Sequence, residues 1–103
     1  MGEEAYNIGA NIELTGFRDI DSSSMDVIKK NINHHARRIA ELAKKFEKLH
    51  ITLKPVHERE KSEKYEVHAK VIDSGKVFAS KVTERNLIVA VDNVLNKIVN
   101  ELD

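Results

Sequence analysis

Eight lysine and arginine side chains fall between residues 27 and 54 against two acidic ones, in a chain of 103 residues whose 17 bases and 17 acids cancel only in sum. Residues 1–26 carry one base and six acids, 55–76 five of each, and 77–103 three and four. A zero sum argues against indiscriminate nucleic-acid binding, but a local balance of +6 is the pattern that neutralises phosphates in a row. Place Ile28 at zero on a helical wheel of 100° per residue. Lys30, Arg37, Lys44 and Lys48 then fall at about 160–200°, and His34, Arg38 and Lys45 extend the arc to about 280°. Glu41 alone interrupts the stripe. Two readings stand: a solvated helix surface, or cations lined up along a polyanion. The stripe is nearly one-signed and recurs about every two turns, which a merely solvated face does not require.

Other chemistry finds less support. Cysteine is absent, so disulfides, thiol nucleophiles and cysteine metal sites are excluded. His34 and His35 point about 100° apart on a helix and cannot share one ion, while His50, His57 and His68 lack acidic partners at ligand spacing. No metal or cofactor is expected. Ser22 to Ser24 have no nucleophile-elbow setting, there is no phosphate-loop motif, and Glu58, Glu60 and Glu63 read as surface. No base, nucleophile or ligand set converges, so the chain does not read as an enzyme.

These side chains need elements to hold them. Ile12 and Leu14 alternate ahead of Gly16 within a first strand read over residues 8–17. Ser23 and Asp26 form an acidic variant of a capping box, predicting a helix from about Met25. Ile28, Ile32, Ala36, Ile39, Ala43 and Phe46 continue its apolar face for about 24 residues, roughly 36 Å. His35 shares that face and is predicted to be at least partly buried. Leu49, Ile51 and Leu53 alternate up to Pro55 as a second strand, and Tyr65, Val67, Ala69 and Val71 as a third. The turn residues Asp73-Ser-Gly-Lys76 lead into a fourth strand, ending near Val82. Thr83 or Asn86 caps a last helix carrying Leu87, Val91, Val94, Leu95, Ile98 and Leu102 on one face. The expected fold is α+β: one domain over residues 1–103, a two-layer sandwich of order β-α-β-β-β-α, with both helices on one face of a four-stranded sheet. The other face is expected to be open, presenting His50, Thr52, Lys54, His68, Lys70, Phe78 and Ser80.

No run approaches the length of a membrane span, and the acidic start lacks the character of a signal peptide, so a cytoplasmic protein is expected.

The element order together with particular residues resembles the ribosome hibernation-promoting factor family, which includes the ribosome-associated inhibitor and was once labelled sigma-54 modulation protein. The resemblance is carried by Val77-Phe-Ala-Ser, by Asn86-Leu-Ile-Val-Ala-Val-Asp-Asn-Val-Leu-Asn-Lys-Ile with Ala90, Asp92, Lys97 and Leu102 matching, and by Ile12-Glu-Leu-Thr-Gly16 and Ile51-Thr-Leu-Lys54. Ile28-Lys29, Ile32, Arg38-Ile39 and Phe46 fit the family's first helix without a gap. Asn86, Ile88 and Asn100 depart from it, and the chain stops at Asp103 without a basic tail.

The resemblance implies a double-stranded-RNA-binding-domain-like fold. It also implies a non-catalytic protein that occupies the messenger and transfer RNA channel of the small ribosomal subunit and inhibits translation under stress. Lys29, Arg38 and Lys97 are the positions where a family basic residue and one here coincide. Lys30, Arg37, Lys44 and Lys45 join the RNA-binding set from the wheel alone. The competing reading is a protein-interaction module, a homodimer through the open sheet face and Phe78, with a solvated basic helix.

Overall fold

The computed structural model describes residues 5–9, 11–57 and 63–103. Its elements run β1 (Ala5–Gly9), β2 (Ile12–Thr15), α1 (Ser22–Leu42), β3 (Phe46–His57), β4 (Glu63–Asp73), β5 (Lys76–Glu84) and α2 (Leu87–Leu102). The expected α+β order is present, with β1 added ahead of it as an edge strand. What reads as one strand over 8–17 is a hairpin, because Asn11 turns the chain at φ 64°. Asparagine is among the few residues that tolerate that left-handed conformation. The connection of Glu58 and Glu60 lies outside the described residues, and Glu63 begins β4.

The sheet order is β1-β2-β3-β4-β5. β2 and β3 are parallel and every other pair is antiparallel. Only the parallel joint needs a long crossover, and α1 supplies it. β3 continues through Pro55, which pairs with Tyr65 of β4 beyond the last β2 partner, Thr52. At that point proline's missing N–H leaves no ladder bond to β2 unmade.

Alternation puts Ile12 and Leu14, Leu49, Ile51 and Leu53, and Val67, Ala69 and Val71 on one sheet face, all buried. Ile28, Ile32 and Ile39 of α1 and Val91, Val94, Leu95 and Ile98 of α2 meet them at 0% exposure. Both helices therefore cover the same face, and a single cluster forms the core. No described element packs on the opposite face.

Three local expectations are corrected. The first concerns the start of α1, which Asp21 rather than Ser23 caps, its carboxylate accepting the Ser24 N–H at 2.9 Å. The second concerns its end. The helix has 21 residues, about 31 Å, and stops at Leu42, so Lys44 and Lys45 lie in the following turn and Phe46 opens β3. Asp73 accepts the backbone N–H groups of Lys44 and Lys45 at 3.2 and 2.8 Å, giving those donors partners outside a helical ladder. The third concerns β5. Ser74 at φ 53° and Gly75 at φ 79° close a two-residue hairpin that pairs Asp73 with Lys76, and hence Phe78 with buried Val71. Phe78 and Ser80 thus face the helices. Phe78 packs against the core, and Ser80 Oγ donates to the Val94 carbonyl at 3.1 Å. Val77, Ala79, Lys81 and Thr83 take the open face instead. α2 is capped by Asn86, one of the two expected residues, whose Oδ1 accepts the Val89 N–H at 3.1 Å.

Candidate nucleic-acid interface

α1 presents its polar side because its apolar side is consumed by the core. Lys30, Arg37 and Arg38 are exposed on it, and Lys29 is half-buried with a partner. Lys30 to Arg37 spans two turns, about 10.5 Å. Arg38 Nη1 lies 3.6 Å from Glu41 Oε1, an exposed pair one turn apart that takes little from the cation's availability. Arg37 and Arg38 line one wall of an open groove of about 530 Å³ with His34, His35 and Glu41, and Asn96 and Val99 of α2 form the other. His34 and Asn96 were not among the sequence candidates. His34 was legible on the wheel, whereas Asn96 carried no signal for which element it would face.

The groove's floor is a polar bridge between helices. His35 is 8% exposed, and its Nδ1 lies 3.0 Å from the Asn31 carbonyl. Its Nε2 lies 3.1 Å from Asn96 Oδ1 and 3.6 Å from Asp92 Oδ1. Asn31 and Asn96 both donate to the Asp92 carboxylate, at 3.2 Å each. These bonds fix the rotation of α1 on α2, and with it the direction in which Arg37 and Arg38 point.

Lys44 and Lys45 follow the helix on the turn held by Asp73, both exposed. Lys44 lines a second cleft with Asp73, Lys76, Phe78 and Glu101. Lys76 was not a sequence candidate, and its ammonium stands 5.4 Å from the Phe78 ring centre. Lys97 stands apart from the α1 set. It faces β5, donates to the Lys81 carbonyl at 3.4 Å and lines a different groove with Lys81, Thr83 and Asn93. Among the described residues no group of three or more potential metal-ligating side chains converges, and no helix is long and apolar enough to cross a membrane.

No protein-family model matches the chain, and no curated protein matches it. Solved structures do. A ribosomal subunit interface protein from Coxiella burnetii superposes with a TM-score of 0.57 at 16% identity, over 84% of this chain and 86% of that one. The N-terminal domain of Protein Y from Thermus thermophilus gives 0.54 at 14% identity, over 81% and 82%. This chain has their fold. At such identity the likeness speaks for the backbone arrangement, and the cationic surface must be judged on its own residues.

Proposed function

We propose that this protein is a non-catalytic ribosome-associated factor that binds ribosomal RNA of the small subunit, occupies the channel of messenger and transfer RNA, and inhibits translation under stress in the cytoplasm. The observation that carries the reading is the shared fold, since one neighbour is described as a ribosomal subunit interface protein over nearly its whole length. The family resemblance in the sequence points the same way. Chemistry adds a reason: a rigid helix bearing Lys30, Arg37 and Arg38, continued by Lys44 and Lys45, can neutralise successive phosphates, while overall neutrality limits adhesion elsewhere. Lys29 and Lys97 belong to the proposed set as flanking cations, Lys97 on the far side of α2.

Sedimentation with purified small subunits tests this directly. The protein should travel with the subunits, and should be displaced when the channel is filled beforehand with transfer RNA bound to a message. Co-sedimentation that is indifferent to that occupancy would move the site elsewhere on the subunit.

The homodimer reading loses its aromatic anchor, because Phe78 packs toward the helices. The open face also opposes like-charged lysines to one another in any self-pairing, which disfavours it further.

A further inference from the structure

The basic segment of residues 27–54 does not stay on one side of the molecule. Four of its eight cations lie on α1 and two on the following turn, while Lys48 and Lys54 ride on β3. Alternation sends those two to the face away from the helices. There they meet Lys70 of β4 and Lys81 of β5. The register sets Lys70 beside His50 and Ala79, Lys81 beside His68, and Lys54 beside Glu66.

Among the described residues two carboxylates answer these four lysines, Glu13 near Lys48 and Lys70 and Glu66 near Lys54 and Lys81, and each makes its direct bond to a single partner. Glu13 accepts from Lys48 Nζ at 2.8 Å, which holds its carboxyl below the ordinary value. Glu66 bonds His68 Nε2 and is lowered by that bond. Lys54, Lys70 and Lys81 are exposed, and no acidic group among the described residues stands in ion-pair contact with them. One strand over and one two-residue step along separates the Lys70 and Lys81 backbones by roughly 8 Å. Glu66 and His68 of β4 lie between Lys54 and Lys81, bonded to each other, and Thr52 and Thr83 flank them as neutral hydrogen-bonding groups.

We infer that the open sheet face is a second phosphate-binding surface, which takes a single-stranded RNA segment along Lys54, Lys70 and Lys81 on the layer opposite α1. Charge complementarity selects the occupant. An acidic strand finds three exposed ammonium groups there outside ion-pair contact, drawn only at longer range toward Glu13 and Glu66, whereas a second copy brings the same cations face to face. The inference goes beyond the α1 site and shares with it only the premise that the partner is RNA. A protein gripped on both layers would be wedged between two RNA segments, its two weak contacts reinforcing each other.

The test uses the full chain and a fluorescently labelled oligouridylate, with anisotropy titrations from about 50 to about 200 mM salt. Five proteins are compared: the parent, Lys70→Glu with Lys81→Glu, Arg37→Glu with Arg38→Glu, these four changes together, and the neutral pair Lys70→Gln with Lys81→Gln. Removing two single-strand phosphate contacts should flatten the salt slope by about 1.4, so the sheet variant should lose about sevenfold less affinity than the parent over that range. The same flattening should appear in the α1-reversed background. Neutral Lys70→Gln with Lys81→Gln should reproduce it in a protein whose circular dichroism matches the parent.

An unchanged slope in both sheet variants would overturn the inference. So would complete loss of binding on reversing α1 alone, or a parent that is dimeric by sedimentation equilibrium and is dissociated by the sheet substitutions. If the α1 reversal leaves binding intact while the sheet substitutions weaken it, the α1 reading fails and this one stands.

Discussion

The Asp73 carboxylate at the end of β4 accepts the backbone N–H of Lys45 at 2.8 Å, tying the turn after α1 to a hairpin 28 residues away. The Lys44 N–H at 3.2 Å and the Ser74 hydroxyl at 3.1 Å complete its set of donors. One acidic side chain thereby ends the first helix and holds in place the turn that presents two of the cations.

The bond from Lys45, seconded by the other donors, holds the Asp73 carboxyl below the ordinary carboxylate value. Because the folded group titrates below its unfolded counterpart, its contribution to stability is complete above about pH 4 and is lost as pH falls through the lower folded value. Asp73→Asn should lower the urea midpoint at pH 7. The gap between variant and parent should narrow as pH drops below about 4. A gap that is constant with pH would mean the carboxylate's charge is irrelevant to the turn.

Reversal of charge on α1 should act on binding and leave the fold alone. If about four phosphates are neutralised, raising salt from about 50 to about 200 mM should cost the parent roughly 50- to 150-fold in affinity for small subunits. Arg37→Glu with Arg38→Glu should weaken binding and flatten that dependence, with unchanged thermal unfolding because both side chains are exposed. Lys97→Glu should do much less, since Lys97 faces β5 on the other side of α2.

His35→Leu removes the bond to Asn96 across the helix interface and leaves the Asn96 oxygen unanswered. The expected cost is about 1–3 kcal/mol, read from chemical denaturation. Its effect on RNA affinity should exceed that of an equally destabilising change at a site remote from the helix interface, because the bridge also orients Arg37 and Arg38.

Gly75→Ala should destabilise by about 1–2 kcal/mol, since φ is 79° there and an added Cβ would meet nothing within 4 Å, so the cost is conformational rather than steric. A urea midpoint equal to the parent's would show that the turn can relax away from positive φ without loss of register.

Much of the fold was legible because its signals are local. Periods of two and of 3.6 placed β3, β4, α1 and α2, and a single apolar face on each helix required both to share one side of the sheet. What escaped depends on partners distant in sequence. Phe46 suits the helical period as well as the strand that follows, and the arbiter is Asp73, 28 residues downstream of Lys45. Alternation alone puts Phe78 on the wrong face, a slip of one residue that only the Ser74-Gly75 turn settles. Of the candidate site, the α1 cations were readable from the wheel. Of the sheet cations, alternation alone places Lys54 and Lys70 on the open face, whereas Lys81 joins them only through the register of β5.

The order of strands in the sheet repeats their order in the chain. A growing sheet can therefore be extended one neighbour at a time, with the β3-β4-β5 meander closing through connections that span little sequence. The parallel joint of β2 to β3 is the exception, because it encloses the whole of α1 and brings Ile12 against Leu49. Loop-closure entropy places that joint late, so substitutions in β2 should accelerate unfolding with little effect on the refolding rate, while those in the meander should slow refolding.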